Sequence, residues 1–160
     1  MAEKDLLEEK IVEKLKEKGW QVTCAESCTG GMIASRLVNV AGISDIFMEG
    51  YITYANSAKH KLLGVSKEAL DTWGAVSEQV AEQMAQGAAR EAGAQAAIAV
   101  TGIAGPDGGT PKKPVGLVYI GCFAGGTTVV KENHFKGNRL EIRQQTAQTA
   151  LELLFECISR

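Results

Sequence analysis

Residues Ala94 to Thr101 read Ala-Gln-Ala-Ala-Ile-Ala-Val-Thr, a run of small and β-branched residues with no charge, preceded by Gly93 and followed by a glycine-rich stretch. A strand of this kind is covered on both faces and belongs at the centre of its sheet. The rest of the chain must therefore supply two covering layers. Helical patterns are available for that on both sides of the run. Residues 5 to 18 place Leu6, Leu7, Ile11, Val12 and Leu15 on one stripe, with Gly19 as a stop. A second helix follows the turn around Ser27, carrying Met32, Ile33, Leu37 and Val38. Further helices are expected at about 57 to 63, 66 to 72 and from Ser77 through Ala92, the last opened by Ser77-Glu78-Gln79-Val80. The final helix, from about Arg139, spaces Ile142, Ala147, Ala150, Leu151, Leu154, Phe155 and Ile158 for packing on the sheet.

Strands are expected at Trp20 to Cys24, Phe47 to Tyr54, Val115 to Ala124 and Thr127 to Phe135, the last two joined at Gly125-Gly126 as a tight hairpin. This order implies an α/β fold. It is a three-layer α/β/α sandwich around a mixed, mostly parallel sheet of about five strands, with a C-terminal hairpin and helix. The 160 residues, 45% of them hydrophobic, suit a single domain over residues 1–160.

Charge and cysteine content narrow the function classes. A net charge of −2 and a pI of about 5.8 give no basic footprint for nucleic acid, and no apolar run is long enough to cross a bilayer. Lysines and glutamates interleave through the first eighteen residues, as on a solvated helix face. Cys24, Cys28, Cys122 and Cys157 form no C-x-x-C pair and only His60 and His134 could join them, so no metal is expected. A cytoplasmic location with free thiols follows.

In open sheets of this type ligands bind beyond the carboxyl ends of the parallel strands, where three loops fall. The first contains Glu26-Ser27-Cys28-Thr29-Gly30-Gly31. Ser27 there is either an ordinary helix cap or a nucleophile beside backbone N–H groups able to hold an oxyanion. Two glycines in the first helical turn cost roughly 1 kcal/mol each, which a cap alone does not require. The second, Tyr54-Ala55-Asn56-Ser57-Ala58-Lys59, offers a lysine that burial could convert into a general base, or that sits on a helix surface. The third runs from Thr101 to Gly116 with five glycines and all three prolines of the chain, and is either a surface connection or a cradle for a phosphate or carboxylate. Cys28 is a rival nucleophile whose thiol a helix start would acidify. Arg139 and Arg143, one turn apart, are either an anion clamp or a solvated face.

Four separated stretches, Thr23-Cys24-Ala25-Glu26-Ser27-Cys28-Thr29-Gly30-Gly31, Gly50 to Lys59, Gly74-Ala75-Val76-Ser77-Glu78 and Val100 to Gly109, resemble in order the CinA C-terminal domain family. Its single-domain bacterial members are nicotinamide mononucleotide deamidases. The resemblance implies hydrolysis of the carboxamide of nicotinamide mononucleotide to nicotinate mononucleotide and ammonia, without a cofactor. It implies Ser27 as nucleophile, Lys59 as base, Tyr54 as accessory residue and an arginine at Arg143. Thr29, Gly30 and Gly31 would then supply oxyanion donors, and Asn56, Thr101, Gly102, Gly105 and Arg143 would bind substrate; Glu26 stands with them as a residue for capping, orientation or ligand contact, among which the sequence does not choose. A homodimer or larger homo-oligomer is also implied. The alternative is a nucleotide-binding or regulatory module of the same fold without catalysis.

Overall fold

A computed structural model describes residues 6–160 of the chain; Glu3 and Lys4 of the expected charged face, and residue 5 at the start of the expected first helix, lie outside the described residues. The helices are α1 (Leu7–Lys18), α2 (Met32–Val38), α3 (Asn56–Leu63), α4 (Lys67–Trp73), α5 (Glu78–Ala92) and α6 (Arg139–Ile158), with a 3-10 turn at Ile43–Asp45. The strands are β1 (Val22–Glu26), β2 (Tyr51–Ile52), β3 (Ala96–Gly102), β4 (Leu117–Ala124) and β5 (Thr127–His134), in the sheet order β2-β1-β3-β4-β5. β1 pairs in parallel with β2 and β3, while β3–β4 and β4–β5 are antiparallel, so every strand except β4 points the same way.

β3 is the central strand, and its alternation builds the two faces. Ala96, Ile98 and Val100 pack with α1, α2 and α6 through Ile11, Leu15, Ile33, Leu37, Leu151 and Leu154. Ala97 and Ala99 face the other way, toward Val80, Met84 and Ala88 of α5 and Leu63 of α3. The small residues on that second face have a steric purpose. A Cβ at Gly121 of β4 would lie 2.7 Å from the Ala81 carbonyl, so α5 rests almost on the sheet backbone.

Three expectations shift. β1 runs two residues later than expected and ends at Glu26, every one of its positions being buried. Trp20 stays outside the strand, under the Lys18 ammonium. β2 shrinks to Tyr51–Ile52 because only these residues find partners, Ala25 and Glu26, on this sheet edge. α2 begins at Met32 rather than near Ser27, so Gly30 and Gly31 precede it in left-handed conformations, at φ 56° and 111°. Those φ values explain the glycines: the turn requires them and no helix interior is weakened. The caps at Ser77 and the hairpin at Gly125-Gly126 form as expected, and Asn138 with Glu141 adds a capping box to α6. Among the described residues no helix is long and apolar enough to cross a membrane.

Candidate active site

The parallel strands β2, β1 and β3 end at one edge, and the segments that leave them surround a cleft of about 250 Å³. Ser27 is the first residue past β1 and its amide donates to the Val100 carbonyl at 3.2 Å, which fixes its backbone against β3. Its hydroxyl caps nothing. It lies 3.1 Å from Nζ of Lys59, and the pair is nearly sealed, at 8% and 1% exposure.

Lys59 reaches Ser27 from the first turn of α3. Its Nζ also donates to the Thr53 carbonyl at 2.8 Å and the Tyr54 carbonyl at 3.2 Å, in the short strap between β2 and α3. Burial disfavours the ammonium and lowers the Lys59 pKa to about 8. A surface lysine is thereby excluded. The Tyr54 side chain is 62% exposed, and its hydroxyl accepts from Arg139 at 3.0 Å. It is the main-chain oxygen of Tyr54, not its hydroxyl, that touches Lys59.

Cys28 borders the cleft, but its thiol is not acidified. The helix begins four residues further on, and burial pushes the thiol up to about 11, a larger effect than the pull of Arg143 and Lys59. At neutral pH it is therefore a protonated, weak nucleophile.

The two arginines of α6 part company. Arg139 stands at the cleft rim, donating to the Gly105 carbonyl at 2.8 Å and to Tyr54, both uncharged oxygens. Arg143 lies behind the turn, donating Nε to the Cys28 carbonyl at 2.9 Å and Nη2 to the Thr29 carbonyl at 3.0 Å. It lines a separate cavity of about 470 Å³ with Thr29, Gly30, Gly31 and Arg36. Arg143 is not among the residues that line the cleft beside Ser27.

The turn residues divide in the same way. The Gly30 amide is taken by the Ser27 carbonyl at 3.1 Å. The Thr29 amide belongs to the peptide whose carbonyl Arg143 holds, and in a trans peptide it points the opposite way. Glu26 is fully buried and outside the cleft lining, its carboxylate occupied by protein donors. Asn56 and Gly105 line the cleft, as do Thr101 and Gly102 at the end of β3. The Thr101 hydroxyl donates to the Ala75 carbonyl at 2.8 Å, and a Cβ at Gly102 would lie 2.5 Å from the Val118 side chain, so both also hold the cleft wall together.

Residues that sequence reasoning passed over are Asp107, which adds a carboxylate to the lining, and Ala75 and Val76, which also line the cleft. The Gly74 to Glu78 stretch had marked itself by its resemblance. What it lacked was a side chain with recognisable chemistry.

The model of the CinA C-terminal domain family matches residues 4–158. The chain is 51% identical over 156 residues to a protein of Enterobacter agglomerans named nicotinamide-nucleotide amidohydrolase PncC, covering 95% of this chain and 94% of that protein. It is 53% identical over 148 residues to a CinA-like protein of Kosmotoga olearia, of which it spans 36%. Among solved structures, the competence/damage inducible protein CihA of Agrobacterium tumefaciens superposes with a TM-score of 0.92 at 46% identity, covering 96% of this chain and 94% of that one. The superfamily protein of Escherichia coli superposes at 0.89 with 34% identity, covering 98% and 93%. With this fold, these motifs and a family match over nearly its whole length, the chain belongs to the CinA C-terminal domain family.

Proposed function

We propose that the chain hydrolyses the carboxamide of nicotinamide mononucleotide, giving nicotinate mononucleotide and ammonia, with Ser27 as nucleophile and Lys59 as its base. The observation that carries this reading is the sealed Lys59 Nζ to Ser27 Oγ contact of 3.1 Å. A nearly full-length relative named for this activity supports the choice of substrate.

In the neutral lysine, two N–H bonds are directed to the Thr53 and Tyr54 carbonyls, leaving the nitrogen lone pair for the Ser27 hydroxyl. Lys59 takes the proton as Ser27 Oγ bonds to the carboxamide carbon. The resulting oxyanion is met by the backbone turn, for which the Thr29 amide is the assigned donor. Collapse of the tetrahedral adduct breaks the C–N bond, and the lysine proton leaves with ammonia. Water then gives its proton to Lys59 as its oxygen attacks the ester, releasing the nicotinate carboxylate and restoring Ser27. Arg139 supplies the positive charge for the phosphate at the rim, with Tyr54 holding the guanidinium. The same reading carries a homodimer or larger assembly and a reducing cytoplasm, in which the four cysteines stay free thiols.

The test is ammonia release from nicotinamide mononucleotide. Ser27→Ala is expected to lower kcat by at least about a thousandfold and Lys59→Ala by roughly a hundred- to ten-thousandfold. Cys28→Ala should stay close to wild type. Activity in Ser27→Ala combined with loss in Cys28→Ala would move the nucleophile to the thiol. Binding of the nucleotide without turnover by wild type would favour a regulatory module.

A further inference from the structure

The structure assigns Glu26 as the positioning residue that frees Ser27 from capping and fixes the turn bearing it, an inference that rests on Ser27 being the nucleophile. α2 has Gly31 at its cap position and so no side chain to receive its first amides. Glu26 performs that task from the end of β1. Its Oε1 accepts from the Ile33 amide at 2.9 Å and the Thr29 hydroxyl at 2.6 Å, and its Oε2 accepts from the Ala34 amide at 3.0 Å and the Cys24 thiol at 3.7 Å. A strand-end carboxylate has thus replaced the Ser or Thr that normally sits next to the helix. Residues 27 to 31 are spanned by this bridge, and the Ser27 hydroxyl is left to Lys59.

Glu26 also touches the other arm of the pair. Its main-chain oxygen accepts from the Thr53 amide at 2.9 Å, and the Thr53 carbonyl accepts from Lys59 Nζ. One residue thereby registers both the nucleophile turn and the strap that holds the base. A carboxylate suits the position because its oxygens face donors only. In Glu26→Gln the new NH2 group would face either the Ala34 or the Ile33 amide, and two donors cannot share that space. The Thr29 hydroxyl can reverse its role, but an amide cannot. Glu26→Asp is one methylene too short to reach both amides.

Glu26→Gln and Glu26→Asp should be compared with wild type and with Ser66→Ala, which removes the cap that α4 receives at the Ala69 amide, away from the cleft. Two readouts are taken below each variant's melting temperature: kcat and KM for nicotinamide mononucleotide, and the rate at which a fluorophosphonate labels Ser27. Both Glu26 variants are expected to lose roughly ten- to a hundredfold in kcat and in labelling rate, the scale of a nucleophile displaced by about 1 Å. KM should stay within about twofold, since Glu26 does not line the cleft. Ser66→Ala should lose stability and neither rate. Wild-type kcat and labelling in Glu26→Gln would overturn the assignment, as would a rise in KM alone. Should both Glu26 variants fail to fold, Thr29→Val keeps the two amide bonds while deleting one donor. A smaller fall in both rates supports the assignment, and unchanged rates in Thr29→Val overturn it. Labelling of wild-type Ser27 without turnover of the mononucleotide would defeat the proposed substrate while leaving Glu26 to be judged by the labelling rates.

Discussion

Nζ of Lys59 is surrounded by three oxygens, those of Thr53, Tyr54 and Ser27. Protonated, it can donate to all three; neutral, it can donate to the two carbonyls and accept from the hydroxyl. The proton can therefore come and go without rearranging the shell, and burial decides the balance. On the proposed mechanism Lys59 acts as a base when neutral, so kcat/KM should rise with pH and level off above an inflection near pH 8. Activity that is flat across that inflection would contradict the role. The same group makes stability depend on pH. With its folded pKa lowered to about 8 from an ordinary 10.5, the unfolded chain binds more protons between those values, so stability must rise with pH through that window. Lys59→Met removes this dependence. Urea unfolding of both proteins should show wild type gaining on the variant between pH 8 and pH 10.5, and a constant gap would refute the burial argument. The local pattern around Ser27 reads equally as a cap, and it is the pairing with Tyr54 and Lys59 together with the family resemblance that turns the sequence reading toward a nucleophile. The residue that settles the capping question, Glu26, reaches its helix across a five-residue turn rather than from the adjacent position at which caps are recognised.

At the scale of elements, the position of Lys59 depends on how closely α3 lies against α5. A Cβ at Gly87 of α5 would sit 1.9 Å from the Leu63 carbonyl, where α3 ends, and Arg90 donates to that same carbonyl at 3.0 Å. Lys59 is one turn earlier on α3. Gly87→Ala gains about 1 kcal/mol in helix propensity. It must nevertheless drive α3 outward, at an overpacking cost of about 1–3 kcal/mol or more given a backbone clash this short. The expected result is a lower Tm together with a lower kcat, as Nζ moves away from Ser27. A more stable variant with full activity would show that α3 can shift freely without the base losing its reach. Helices of this kind were legible from periodicity and cap residues, since both signals are local. β2 was not, because Tyr51, Ile52, Thr53 and Tyr54 all favour strands while β1 pairs with only the first two. There the limit is set by the partner strand, which composition does not reveal.

Across the whole molecule, the fold was legible because one uncharged central run demanded two covering layers, and the amphipathic segments needed to cover it were present. The cleft was less so, since its two ends are separated by much of the chain. The spacing of Arg139 and Arg143 places both on one side of α6, and nothing in it assigns them different tasks. Packing does: Arg139 meets Tyr54 and Gly105 at the rim, whereas Arg143 meets Cys28 and Thr29 behind the Ser27 turn. Truncation should separate the two kinetically. On the proposed reading Arg139→Ala removes the cation that meets the substrate phosphate, an interaction made equally in ground and transition states, so KM should rise with kcat nearly unchanged. Arg143→Ala leaves two carbonyls without their charged donor and loosens the turn, so kcat should fall while KM holds. Charge-assisted hydrogen bonds of about 1.5–3 kcal/mol correspond to roughly ten- to a hundredfold in either constant. Added salt sharpens the distinction, because screening should raise the wild-type and Arg143→Ala KM but leave that of Arg139→Ala almost unmoved. If Arg143→Ala instead raised KM with salt-insensitive residual binding, the phosphate would have to lie in the cavity behind the turn, and Arg139 would be reduced to a support for Tyr54.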